Sequence, residues 1–215
     1  MSKIQLKYAA VEPYFQKVNL VVEKGASLAI TGAYRNELLQ TIGCFRLLTN
    51  GTYRLEYHQN ETKDVGDLAV LRQTKMGYLP AQDEFLKDET VLENIQLPFF
   101  FQTGTNKLPG ARKQRLDQLS KLIGIHELLG KKAVHLDAFQ IKCMALIRAC
   151  LHAPSILLIE EPEKALTEAQ LEKFIQCLRS VKAEGVTLII SSENPTVCAS
   201  CQDVFELTGE QILSN

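Results

Sequence analysis

The stretch Ser155-Ile156-Leu157-Leu158-Ile159, followed by Glu160-Glu161-Pro162, constrains this chain more than any other. Its uncharged residues read as a strand buried on both faces, the kind found where helices cover a parallel sheet on both sides. Carboxylates at the carboxyl end of such a strand fall in the crevice where open α/β sheets bind ligands. There they suit a ligand of metal-bound water and a general base for attack by water. In isolation the same two acids read equally well as solvated groups at a strand end.

The rest of the chain repeats the alternation of strand and helix. Residues 4–8 and 18–22 alternate like β-structure, a turn falls at Lys24-Gly25, and 26–30 is again of buried type. Residues 37–47 read as a helix closed near Asn50-Gly51, followed by strands at 52–57 and 76–79. Helices are predicted at 90–96, 111–130, 138–152 and 168–183, strands at 155–159, 186–191 and 203–207, a helix near Thr196 and a turn at Gly209-Glu210. This pattern predicts an α/β domain with a mainly parallel core sheet, an N-terminal antiparallel β part and a helical insertion. Residues 1–215 are expected to form one domain, with the helical part, about 85–150, inserted in the α/β core.

Composition excludes several functions. Lys and Arg number 24 against 25 Asp and Glu, so no broad positive field attracts nucleic acid or anionic lipid. The apolar run at 97–101 is far shorter than the roughly 20 residues that span a bilayer, and the start, Met1-Ser2-Lys3-Ile4, lacks a signal-peptide core. A cytoplasmic protein without membrane insertion is expected. The six cysteines lie mostly in apolar stretches, which fits reduced, packed thiols. Cys198 and Cys201 form an isolated C-x-x-C without a second pair at zinc spacing, so no metal site is expected.

Ala29-Ile30-Thr31-Gly32 ends a strand and leads directly into a helix, where nucleotide-binding proteins place a phosphate loop. That chemistry needs glycines to converge backbone N–H groups, a Lys for the β- and γ-oxygens, and a Ser or Thr hydroxyl for Mg²⁺. The chain reads Gly32-Ala33-Tyr34-Arg35-Asn36-Glu37-Leu38-Leu39, with one glycine and no Lys-Ser or Lys-Thr pair. Alone, it is an ordinary strand–turn–helix.

Taken in order, these segments resemble the ATP-binding-cassette transporter ATPases of the lipoprotein-release, macrolide-export and cell-division type. The segment from Glu37 through Thr49-Asn50-Gly51 is similar to the helix after the family's phosphate loop. Met76-Gly77-Tyr78-Leu79 resembles the strand leading into the glutamine loop, and Val91 to Pro98 the permease-facing segment. Leu136 to Pro154 resembles the signature helix, Leu158 to Pro162 the Walker B strand, and Thr187 to Pro195 the switch strand. The resemblance implies the phosphate-loop NTPase fold, ATP with Mg²⁺, and attachment to an integral-membrane permease through about Gln82–Pro98. It also implies a homodimer, or a heterodimer with another such ATPase.

The departures fall where the family contacts ATP. Arg35 stands at the lysine position and Asn36 at the serine, in a loop about three residues short. Leu136-Asp137-Ala138-Phe139-Gln140 replaces the signature Leu-Ser-Gly-Gly-Gln, with Asp137 better suited to capping the helix. Ala81 stands at the glutamine position with Gln82 one place late, Glu160 replaces the Walker B aspartate, Thr167 the D-loop aspartate, and Glu193 the switch histidine. Glu161, the general-base position, is kept in type. Tyr8 is the expected descendant of the adenine-stacking aromatic, with Tyr14 a competitor. Together these imply a pseudo-ATPase, with no bound cofactor expected, that serves a permease as a structural or regulatory subunit. Two alternatives stand beside it: an active ATPase using Arg35 in place of lysine, and a free-standing binding module.

Overall fold

The computed structural model describes residues 4–55, 65–82 and 84–208. β1 (Ile4–Val11) pairs antiparallel with β2 (Phe15–Val22) on one side and β4 (Asn50–Leu55) on the other. Along β2, Phe15, Val18, Leu20 and Val22 point inward while their neighbours face out, the alternation of a sheet with one wet face. Two residues of the expected strand 52–57, Glu56 and Tyr57, and the expected turn Gly209-Glu210 lie outside the described residues.

The second sheet holds β3 (Ser27–Thr31), β5 (Met76–Leu79), β6 (Ile156–Glu160), β7 (Thr187–Ser191) and β8 (Asp203–Glu206) in the order β5-β6-β7-β3-β8. Every pairing in it is parallel. β6 and β7 are buried throughout, because both faces of this sheet are covered. Leu157 and Ile159 of β6 pack on the face shared with α5 (Ala138–Cys150) and α6 (Glu168–Lys182). Ile156 and Leu158 pack on the opposite face, with Leu38, Leu39 and Ile42 of α1 (Arg35–Ile42) and the inner side of the antiparallel sheet. Each of these fully buried aliphatic side chains contributes about 1.5–3 kcal/mol. Between β5 and β6 run α3 (Val91–Thr103), α4 (Gly110–Ile123), two short 3₁₀ turns (His126–Leu128 and Ala133–His135) and α5. α2 (Val65–Lys75) precedes β5, and α7 (Pro195–Ala199) follows β7.

Several elements depart from the sequence reading. The helix expected over 37–47 begins two residues earlier and stops at Ile42. Cys44 takes the left-handed conformation (φ 60°), and the Phe45 and Cys44 amides donate to the Gln40 and Thr41 carbonyls. This closing pattern usually carries a glycine at the left-handed position. Here the glycine, Gly43, stands one residue too early to announce it. α3 runs to Thr103 rather than stopping at Gln96, continuing through Pro98. Buried Phe99, with the Arg112 guanidinium 4.7 Å over its ring, anchors the continuation that proline disfavours. α4 ends at Ile123, capped by left-handed Gly124, rather than at Gly130. α2 was not expected at all; it lacks a buried stripe over its last turns, where Val70 is exposed.

All six cysteines are free thiols; Cys44, Cys143 and Cys150 are buried and the others half-buried. Among the described residues, no group of three or more His, Cys, Asp or Glu side chains is placed to hold a metal ion, and no helix is long and apolar enough to cross a membrane.

Candidate functional site

A parallel sheet delivers the carboxyl ends of its strands to one edge, so residues remote in sequence meet there. β3 ends beside Gly32, β6 ends in Glu160-Glu161, β7 leads through Ser191-Ser192 to Glu193, and β5 leads into Pro80-Ala81. Between Gly32 and the first residue of α1 there are only Ala33 and Tyr34.

That short connection sets the local geometry. Gly32 has φ +92°, and a Cβ there would lie 2.6 Å from the Leu207 carbonyl oxygen. Tyr34, at the N-cap position of α1, is forced left-handed (φ 61°) and gives no side-chain cap. Arg35, the first residue of α1, therefore enters the crevice. Its Nη2 donates to Glu161 Oε1 at 2.6 Å, and its Nη1 lies 3.4 Å from both Glu193 Oε1 and the Gly32 carbonyl oxygen. Glu193 Oε1 also accepts the Gly32 N–H at 2.7 Å. Lys164 forms a second ion pair with Glu161.

Glu161 is the best-defined group of the cluster. Its side chain is 8% exposed and its backbone is left-handed (φ 41°), an arrangement that costs about 1–3 kcal/mol and persists only where surroundings enforce it. Burial pushes its carboxyl up, but Lys164 and Arg35 together outweigh burial and hold it below the usual carboxylate range. It is an ionised carboxylate clamped between two cations.

Asn36 and Gln40, four residues apart on one face of α1, reach the neighbouring strands. Asn36 Oδ1 accepts the Ser191 hydroxyl at 2.6 Å. Gln40 Nε2 donates to Glu160 Oε1 at 2.8 Å, and Gln40 Oε1 accepts from Arg46 Nε at 2.8 Å. The other Glu160 oxygen lies 3.4 Å from the Ala81 N–H. Burial, and then Glu160 beside it, pushes the Tyr78 hydroxyl far up, so it stays protonated.

The structure thus brings Gly32, Arg35, Asn36, Ala81, Glu160, Glu161 and Glu193 to one edge of the sheet, in three neighbouring bonded groups. Leu136, Asp137, Ala138, Phe139 and Gln140 stand apart from these groups at the N-terminus of α5. There Asp137 and Gln140 cap the helix reciprocally, each side chain bonding the other's backbone N–H at 2.8 and 3.1 Å. Phe139 packs against the helical core. Gln82 lines a groove of about 980 Å³ with Phe85, Leu97, Pro98 and Phe101. Thr167 caps α6. Tyr8 sits at a bulge in β1 and is 71% exposed. Tyr14 instead packs edge-on against Tyr34, 5.4 Å between centroids, with the Arg46 guanidinium 4.9 Å above its ring. Sequence reasoning missed Gln40, Arg46, Lys164 and Ser191. The four-residue spacing of Asn36 and Gln40 was the available signal; the other contacts depend on chain reversal.

A parallel sheet with a helix rising from a tight turn at its carboxyl edge defines the class of open α/β proteins that bind ligands at that edge. Solved structures narrow it further. The dimeric bacterial ABC transporter cassette MJ0796 superposes with a TM-score of 0.79 at 24% identity, covering 97% of this chain and 96% of that one. A further structure of MJ0796 is of a post-hydrolysis state bound to ADP and Pi. CbiO1 from Clostridium perfringens, part of the ABC transporter complex cbiONQ, superposes with a TM-score of 0.83 at 19% identity, covering 98% and 86%. No protein-family model matches the chain. Among sequence relatives, the macrolide export ATP-binding/permease protein MacB of Shewanella sp. (strain W3-18-1) is 27% identical over 201 residues, 92% of this chain. The uncharacterized ABC transporter ATP-binding protein YvrO of Bacillus subtilis (strain 168) is 28% identical over 205 residues, 94% of this chain and 88% of its own length. The chain spans 31% of the length of the MacB relative. It has the ATP-binding-cassette ATPase fold and is similar in sequence to these ABC transporter proteins.

Proposed function

We propose that this chain is a non-hydrolysing cassette subunit of an ABC-transporter-like complex, acting as a structural or regulatory partner of a permease at the cytoplasmic face of the membrane. The Arg35–Glu161 ion pair carries the reading. A general base must be free to take a proton from water, and Glu161 is committed to Arg35 and Lys164 instead.

The residues present also fit Mg-ATP poorly. The Gly32 N–H, which would serve a phosphate, is taken by Glu193. The Asn36 side chain is engaged with Ser191 and offers no hydroxyl to Mg²⁺. Glu160, Glu161 and Glu193 line the crevice, so an incoming polyphosphate meets three carboxylates and must displace Arg35 from its partner. No reaction step is therefore assigned to this crevice.

Mg-ATP turnover by the purified chain and by its membrane complex is the test. The expected result is none above background, unchanged by Glu161→Gln. Turnover abolished by that substitution overturns the proposal. Mg-ATP-induced thermal stabilisation lost in Arg35→Ala would instead support the active reading in which Arg35 replaces lysine.

A further inference from the structure

A second cavity, of about 450 Å³, lies between α3, α4 and the 3₁₀ turn His126–Leu128, and shares no lining residue with the crevice network or the Gln82 groove. Its size falls within the roughly 300–1,000 Å³ of small-molecule pockets. Leu92, Leu108, Leu116 and Leu129 supply apolar walls. Into the same wall comes Gln96, a residue only 8% exposed. Its side-chain amide has no hydrogen-bond partner among the described residues. Among the described residues the Gln96 amide is not one of the fully buried unpaired polar atoms, so it reaches solvent at the cavity, where a ligand oxygen or N–H can bond it.

The rim is cationic. Lys107 and Lys113 line the cavity, are exposed, and form no ion pair among the described residues. Asp117, the one carboxylate of the lining, is paired with Lys121 at 2.8 Å, which offsets its charge. α4 adds to the imbalance. It opens after Pro109 without a side-chain cap or an acid in its first turn, and carries Arg112 and Lys113 there instead. Helix dipoles favour the reverse, with negative charge at this end. Leu108 and Lys113, on either side of that terminus, both line the cavity.

We propose that this cavity is a binding site for a small amphipathic anion. An apolar body rests on the four leucines, the Gln96 amide bonds a polar atom at the neck, and a carboxylate or phosphate head meets Lys107 and Lys113. The site stands independently of the crevice reading. The test is a methyl NMR titration of the full chain with octanoate and with phenyl phosphate as probes, and with octanol as the neutral comparison. At least one anion is expected to shift the methyl signals of Leu92, Leu108 and Leu129 saturably. Its affinity should exceed that of octanol, and fall about tenfold in the Lys107→Ala/Lys113→Ala double variant, as befits two partly exposed charges. Both lysines are exposed, so the double variant keeps the fold. Absence of saturable shifts with either anion overturns the proposal, as does an affinity equal to that of octanol or unchanged in the double variant.

Discussion

Removing the Arg35 guanidinium leaves Glu161 with Lys164 as its remaining cation, and leaves the Gly32–Glu193 contact without the charge that bridges it. Arg35 is 24% exposed, between a surface pair and a buried one, so Arg35→Ala should cost about 1–2 kcal/mol, read from urea midpoints at pH 7. The same pair has a pH signature. Glu161 is held lower in the folded chain than in the unfolded one. Its contribution is therefore complete above the unfolded value, about 4.3, and is lost as pH falls through the depressed folded value. The native chain should lose stability on acidification below about pH 4, and Arg35→Ala should lose less over the same range. Equal acid slopes for the two would remove Arg35 as a cause of the depression. Gly32 offers a second test at this scale. Gly32→Ala combines a positive φ with a 2.6 Å approach to the Leu207 carbonyl oxygen, and should cost about 1–3 kcal/mol with no nucleotide present. The glycine is required by its positive φ and by its approach to Leu207, the residue after β8.

At the scale of elements, α5 shows how one side chain fixes a helix start. Asp137 closes a reciprocal cap with Gln140. Asp137→Ala should lower stability by about 1 kcal/mol, while Asp137→Ser, another good cap, should cost only a few tenths. An urea series on both variants checks this; equal losses would mean the carboxylate charge, not the cap, matters. This cap was legible in the sequence because capping is local: an aspartate, an apolar run, and a glutamine three residues on. The buried strands β6 and β7 were legible for the same reason, as uncharged runs of β-branched residues and leucine. The termination of α1 was not, because the left-handed position fell on Cys44 rather than on a glycine. The length of α3 was not, because burial of Phe99 overrides Pro98. In the crevice, the resemblance singled out Arg35, Glu161 and Glu193, but not their direct pairing. It depends on how far the two-residue turn before α1 lets that helix advance towards β6 and β7, which only the three-dimensional arrangement gives.

On the scale of the whole molecule, the carboxyl edge of the sheet carries two adjoining surfaces with different prospects. The crevice at its carboxyl edge is cross-linked by ion pairs and hydrogen bonds, with Arg35 Nε left buried and without a hydrogen-bond partner. The groove beside it is the opposite case. Gln82, Phe85, Leu97, Pro98 and Phe101 line about 980 Å³, and Phe101 is 80% exposed. A large aromatic held in water beside an apolar groove is the kind of anchor that carries interface energy. The groove coincides with the segment proposed to meet the permease, and it communicates with the crevice through Glu160, which lines the groove and accepts from Gln40 of α1. Phe101 and Arg35 each belong to only one of the two surfaces, so mutation can test them separately. Phe101→Asp places a charge at an exposed position and should change stability by no more than about 0.5 kcal/mol, while sharply reducing recovery of the permease when the tagged chain is purified from detergent-solubilised membranes. Arg35→Ala should do the reverse, lowering stability while the permease is still recovered. Undiminished recovery with Phe101→Asp would remove the groove from the interface. Loss of recovery with both variants, each still folded, would mean that docking reads the crevice as well, and that the ion network around Arg35 sets the shape of the surface the permease meets.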